Sequence, residues 1–409
     1  MSVIRPFRAL RPRTDIADKV ACVPYDVPYD SEVRAYIADN PQSFLRVTRP
    51  ESEFPLGSEP SESDVLAKSK ENLEKFISEG WLEQDAEPAI YIYRLSVGPH
   101  TQTGIVATCS IDEYDAGLIK KHEKTRPDKV KDRTDHMVHL GAQTGLIFLA
   151  FRGTDATRKI IADETTREPL YVCPCDESGV TQTVWKVSDP DALVAAFAEV
   201  PAIYVADGHH RAESASLARK TLRERNPNHT GDEPYNFVIA GVFPAEDLKI
   251  LPYNRAVKDL NGLTSEQFFE QLSGSFTVEK TDRKVPEHPR SFAMYLGSEW
   301  YSLQYIVENI EEPNAIERLD VRILQQNILT PILGIDDPRT NTRISFVGGI
   351  RGTDELERLV DSGDYAVAFS MYPTSMDDLF AVSDMGEIMP PKSTWFEPKL
   401  KDGLFVHLI

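Results

Sequence analysis

Between residues 144 and 225 the chain switches repeatedly between two hydrophobic rhythms, and this restricts its fold more than any other feature. The runs 146–151, 170–173, 183–187 and 202–206 are short and rich in β-branched or aromatic residues, as strands are. The stretches 191–199 and 211–225 instead repeat apolar residues at helical spacing. In the second, Ala215, Ala218 and Leu222 share a face before Asn226-Pro227 ends the run. Strands alternating with helices predict a mixed α/β architecture. The mixture extends in both directions. A helix is expected from Ser63, a hairpin over 89–95 and 104–111 around Gly98-Pro99, and a strand over 237–243. Beyond these come a helix after Thr264, a hairpin turning at Gly297-Ser298, a helix over 318–329 and strands over 343–347 and 365–371.

A chain of 409 residues suits two or three domains, or one large intertwined α/β unit. The expected division is an N-terminal α/β region over 1–155, a central one over 156–310 and a C-terminal one over 311–409. With 45 basic and 65 acidic residues the net charge is −20, which disfavours coating of nucleic acid unless positive charge is gathered locally. No run reaches the length and apolarity of a membrane span, and the Arg-rich N-terminus has no apolar core of a secretory signal, so a cytoplasmic protein with no membrane partner is expected. Cys22, Cys109, Cys173 and Cys175 are too scattered for a disulfide framework and read as reduced structural thiols.

Three segments concentrate chemistry. The first is Asp207-Gly208-His209-His210-Arg211, where a strand hands over to a helix. A helix N-terminus has free N–H groups and a positive dipole end, so it receives anions such as phosphate, and Gly208 lets them approach closely. His209, His210 and Arg211 add donors or charge, while Asp207 suits a magnesium ion or a hydroxyl proton. The plainer alternative is that Asp207 caps the helix and the histidines pack. The second segment, residues 120–133, holds seven basic residues and three acids, a local +4. Arg126 and Arg133 are candidate phosphate clamps, and Glu123 is a candidate general base. The alternative is a solvated, salt-bridged face. The third is Met389 to Lys401, where Lys392 is placed to reach a phosphate and Trp395 with Phe396 forms either part of a site or a hydrophobic clasp. The sequence contains no P-loop, dinucleotide, nucleophile-elbow or zincin motif.

Together these segments resemble the bacterial and archaeal family known as domain of unknown function 1015. The resemblance runs from Pro6-Phe7-Arg8-Ala9-Leu10 and Pro24-Tyr25-Asp26-Val27 through His122-Glu123-Lys124-Thr125-Arg126, Asp207 to Arg211 and Leu251-Pro252-Tyr253-Asn254-Arg255 to Met389-Pro390-Pro391-Lys392-Ser393-Thr394. The Asp-Gly-His-His-Arg turn is also similar to that of free-serine kinases built on the fold shared by the ParB partition protein and sulfiredoxin. That similarity implies a strand-turn-helix unit of the same kind. In it Gly208, His209, His210 and Arg211 would hold phosphate, and Asp207 would sit near the reacting oxygen or its metal. The expectation is a phosphotransferase acting on the hydroxyl of a small metabolite, such as free serine or phosphoserine, with ATP or ADP as donor and Mg2+. Asp207, Glu123 and His210 would be catalytic. Gly208, His209, Arg211, Arg126, Arg133 and Lys392 would bind phosphate or nucleotide. The rivals are a nucleotide-binding regulator without catalysis and a metal-dependent hydrolase using His122, His136, His139 or the His209-His210 pair.

Overall fold

The computed structural model describes residues 3–174, 179–306 and 314–409; Cys175 lies outside them. Contacts divide the chain into two compact units, residues 1–248 with 398–409, and residues 249–397. The boundaries thus fall at 248/249 and 397/398, where the sequence reading placed breaks near 155 and 310.

The first unit is built on a mixed sheet of nine strands: β1 (Ile4–Arg5), β2 (Tyr91–Val97), β3 (His100–Ser110), β4 (Ile119–Lys120), β5 (Ile147–Phe151), β6 (Tyr171–Cys173), β7 (Thr181–Lys186), β8 (Ile203–Asp207) and β9 (Phe237–Pro244). Their order is β4-β8-β5-β9-β3-β2-β7-β6, with β1 paired to β3. β8 runs parallel to β4 and antiparallel to β5, and β9 runs parallel to β5 and antiparallel to β3. The four helices used below are α1 (Pro127–Leu140), α2 (Asp155–Glu164), α3 (Pro190–Phe197) and α4 (His209–Arg225).

Both faces of this sheet are covered, which is why its central strands read as nearly continuous apolar runs. On one face Ile105, Ala107, Leu149 and Val205 join Ile161 of α2, Leu193 of α3 and Ala212, Ala215 and Ala218 of α4 in one buried cluster. On the other, Phe243 meets Phe148 with ring centroids 5.0 Å apart, and Phe405 of the returning C-terminal segment lies 5.0 Å from Tyr91. That segment is woven in by backbone pairing: Asp402 with Cys22, Val406 with Leu10, and His407 with Gln143. The described cysteines, Cys22, Cys109 and Cys173, are free and buried.

The second unit carries a six-stranded sheet in the order Phe276–Lys280, Glu299–Tyr305, Ser291–Leu296, Val367–Met371, Tyr253–Val257 and Ile344–Gly348, every pair antiparallel. Leu356 of the helix Asp354–Asp361 packs on it with Ala256, Tyr295 and Trp300. A separate ribbon pairs Lys249–Leu251 with Trp395–Glu397, where Phe396 is buried. No helix among the described residues is long and apolar enough to cross a membrane.

Candidate functional site

β8 delivers Asp207 to the sheet edge through a register shift between Val205 and Asp207, so that Asp207 pairs opposite Phe148. Gly208 then turns the chain with φ 88°, a left-handed conformation that a side chain disfavours. α4 begins at the next residue, and its first internal hydrogen bond runs from the Ala212 N–H to the Gly208 carbonyl. The N-cap is Gly208 and not Asp207. The Asp207 carboxylate instead accepts from the Gly208 N–H at 2.8 Å and from Lys399 Nζ at 2.5 Å. Burial alone would raise the Asp207 pKa, but Lys399, then Arg211 and the Gly208 N–H, outweigh it and hold the carboxyl well below its ordinary range. No acid sits in the first turn of α4, which leaves its positive dipole end without a compensating carboxylate of its own.

The two histidines face different ways. His209 is buried, its ring in edge contact with His122 at 4.4 Å, its Nε2 accepting from the His122 N–H at 3.4 Å and its Nδ1 3.7 Å from a Glu123 oxygen. Burial and then His122 push its pKa well down, and burial lowers that of His122 to about 4, so both rings are neutral near pH 7. The His209 ring is turned inward, so at the start of α4 this residue offers its main chain and not its side chain. His210 is half-buried and accepts from the Arg126 N–H at 3.0 Å. The basic segment is therefore fastened to the turn through backbone donors at His122 and Arg126.

Arg211 is held from several sides. It donates to the Leu146 carbonyl at 3.0 Å, lies 3.6 Å from Asp26 and 3.9 Å from Asp402, and stands over the Tyr25 ring at 5.0 Å. Burial works against its charge, but Asp402 and Asp26 prevail and raise its pKa. Arg133 stands over the same Tyr25 ring at 4.2 Å while pairing with Asp132 at 2.7 Å. Asp402 is buried, with Oδ2 accepting from the Tyr25 N–H at 3.2 Å and Oδ1 without a hydrogen-bond partner among the described residues. Burial pushes its pKa up to about 6, Arg211 pulls against that rise and Asp26 adds to it. Gly145 lies close against this cluster: a Cβ there would lie 2.7 Å from Asp402 Oδ1 and 3.3 Å from Arg211 Cζ, so these side chains would have to shift.

Of the residues proposed from sequence, Asp207, Gly208, His209, His210, Arg211, Glu123, Arg126 and Arg133 belong to the first unit and are linked by these contacts. The Arg126 guanidinium is exposed and, among the described residues, pairs locally with Asp128 at 2.8 Å. Lys392 belongs to the second unit, where its Nζ lies 3.5 Å from the Tyr253 hydroxyl. His136 points elsewhere, bonded to Ser69 at 2.9 Å. Sequence reasoning did not assign roles to Tyr25, Asp26, Lys399 or Asp402. Tyr25, Asp26 and Lys399 stood within noted motifs, whereas nothing local marks Asp402.

Mg2+ binds through carboxylates together with substrate oxygens. Here the Asp207 oxygens are engaged by Lys399 and Gly208, and among the described residues no three His, Cys, Asp or Glu side chains gather to hold a metal. With its oxygens so engaged, the Asp207 carboxylate does not fit the role of a Mg2+ ligand.

The family model described as "Protein of unknown function (DUF1015)" matches residues 4–322. No curated protein matches the chain. Among solved structures, it is similar to a free serine kinase in complex with AMP, at 12% identity over 73% of this chain and 91% of that one, with a TM-score of 0.37. It is also similar to a conserved hypothetical protein from Pyrococcus furiosus, at 15% identity over 74% and 95% with a TM-score of 0.35. C-terminally truncated SbnI from Staphylococcus aureus gives 14% identity over 74% and 87%, with a TM-score of 0.39. Likeness at this level says nothing about activity.

Proposed function

The chain belongs to the DUF1015 family of unknown function, and we propose that it is a nucleotide-dependent phosphotransferase acting on the hydroxyl of a small metabolite, with free serine or phosphoserine as the first substrate to test. The observation that carries this reading is the gathering of donors around the Asp207 turn by segments far apart in sequence. Lys399, 192 residues away, holds Asp207, while Arg126 and His122 of the basic segment are bonded to the two histidines. Phosphoryl transfer asks mainly for positioning and charge neutralisation, and a helix N-terminus flanked by Arg211 and Arg133 supplies both.

In this reading the first-turn N–H groups, His210 and Arg211 bind the phosphates of ATP or ADP. Arg133 and the exposed Arg126 add positive potential. The terminal phosphoryl group passes to the acceptor hydroxyl oxygen as its bond to the bridging oxygen breaks and ADP or AMP leaves; the hydroxyl proton passes to Glu123, next to His209, while Asp207, which Lys399 keeps ionised, orients the hydroxyl.

The test is to incubate the full chain with ATP or ADP and with serine, then to assay phosphoserine by mass spectrometry, with nucleotide affinity measured in parallel. Asp207→Asn is expected to lower turnover by about 10²-fold while nucleotide affinity changes little. Nucleotide binding with no phosphorylated product from any small hydroxyl compound would replace the kinase with a nucleotide-binding regulator.

A further inference from the structure

A cavity of about 310 Å³ lies between α2, the strands β2 and β3 and the segment that follows β9. It is on the opposite face of the sheet from the Asp207 turn. Ile161 of its wall belongs to the helix-covered core, whereas Asp207 pairs with Phe148, whose ring packs on Phe243 on the other face. The volume is at the small end of cavities that enclose metabolites.

Two opposite charges line this cavity without pairing with each other. Arg94 donates from Nε to Thr103 Oγ1 at 3.0 Å and stands over the Trp185 ring at 4.9 Å, and among the described residues it forms no ion pair with a carboxylate. Asp247 accepts from the Thr103 N–H at 3.5 Å and forms no ion pair with a Lys or Arg among the described residues. One residue, Thr103, thus anchors both side chains, its hydroxyl to the cation and its main chain to the anion. The other charged pair of the wall is already matched, Arg158 with Glu246 at 3.6 Å, and Glu246 also accepts from the Gly153 N–H at 3.3 Å. Burial lowers the pKa of Arg94 and raises that of Asp247, so each charge carries a desolvation cost that its neighbours only partly offset.

We propose that this cavity is a second ligand site, for a small zwitterion whose carboxylate meets the Arg94 guanidinium and whose ammonium meets the Asp247 carboxylate. A ligand of one charge would meet only one of the two half-buried groups and leave the other without a counter-ion. Arginine presents parallel N–H donors to a carboxylate, and the Thr103 bond to Nε leaves the terminal nitrogens of Arg94 for that purpose. The site is independent of the phosphotransfer reading.

Calorimetric titration of the full chain with a panel of L-amino acids tests it, with propionate and propylammonium as single-charge probes. At least one amino acid is expected to bind, and each single-charge probe to bind about tenfold more weakly or worse. Arg94→Gln and Asp247→Asn are each expected to weaken binding by about ten- to hundredfold. Ala162→Phe, at an exposed helical position on the cavity wall, should block the site without disturbing the melting transition, so the test survives if the charge variants fail to fold. Absence of binding by every amino acid would overturn the proposal. So would affinity unchanged in Ala162→Phe.

Discussion

Arg211 and Arg126 both stand at the Asp207 turn, and their surroundings differ in nearly every respect. Arg211 is largely buried, with a main-chain carbonyl, two carboxylates and an aromatic ring arranged around it. Arg126 is exposed, and its guanidinium pairs with Asp128 two residues on. The local +4 of residues 120–133 treats such groups alike. In the folded chain much of that excess is spent on nearby acids, Arg126 on Asp128, Arg133 on Asp132 and Lys131 on Asp135 and Glu62. What distinguishes a committed cation is burial with partners brought from elsewhere in the chain, because a weakly screened interaction counts for more than an exposed one.

The comparison breaks most sharply at Arg211. Arg211→Ala leaves Asp402 and Asp26 without their cation, and a loss of about 3–5 kcal/mol in unfolding free energy is expected along with the loss of phosphate affinity. Chemical denaturation and nucleotide titration on the residual folded protein check it. An unchanged denaturation midpoint would mean that Arg211 is no more committed than Arg126.

Asp402 sharpens the contrast through pH. Its pKa in the folded chain is raised to about 6, above its value in the unfolded chain, so between the two values the folded state binds more protons. Its contribution therefore falls as pH rises from about 4 to about 6, by on the order of 3 kcal/mol, and is constant above that window. Asp207 is shifted the opposite way. Its stabilisation is present above the ordinary carboxylate pKa and is lost only as the pH falls below that range, so it leaves the window clear. The buried His122, His136, His209 and His407, held neutral where the unfolded chain charges its histidines, pull the opposite way, so Asp402 is read by difference: urea midpoints of Asp402→Asn should gain on those of the parent chain as the pH rises from about 4 to about 6.

A smaller effect is expected at Gly208→Ala. The new Cβ meets Ile147 Cα at an ordinary 3.4 Å, so the cost comes from the left-handed backbone at φ 88°, roughly 1–2 kcal/mol. Thermal unfolding measures it, and nucleotide affinity should fall with it as the turn relaxes. The smallest effect belongs to Arg126→Ala, for which the unfolding midpoint should not move and nucleotide affinity should fall by no more than about fivefold. A larger drop would promote Arg126 to the rank of Arg211.

Much of the fold was readable because its signals are local. The expected strand over 202–206 is Ile203–Asp207, the one over 237–243 is Phe237–Pro244, and the hairpin around Gly98-Pro99 joins Tyr91–Val97 to His100–Ser110. The helix Pro127–Leu140 was not anticipated. Its buried residues Val130, Thr134 and Met137 keep helical spacing, but the dense charges that begin the helix obscure the apolar stripe. The turn residues were legible as a cluster, since adjacent polar groups at a strand-to-helix junction are visible in one dimension. That the His209 ring faces inward was not, because direction is set by packing against His122.

Sequence alone determined the mixed α/β character, the strand-turn-helix around Gly208 and the reduced state expected of the thiols. Each follows from residues within a few positions of one another, where propensity and periodicity operate. Only the tertiary structure decided that Lys399 would neutralise Asp207, that Tyr25 would lie under both Arg133 and Arg211, and that Asp402 would be buried beside Arg211. These depend on the C-terminal segment returning to pair with Cys22 and Leu10. Contacts across such separations leave no periodic trace, and their strength comes from the low dielectric that only the assembled core creates.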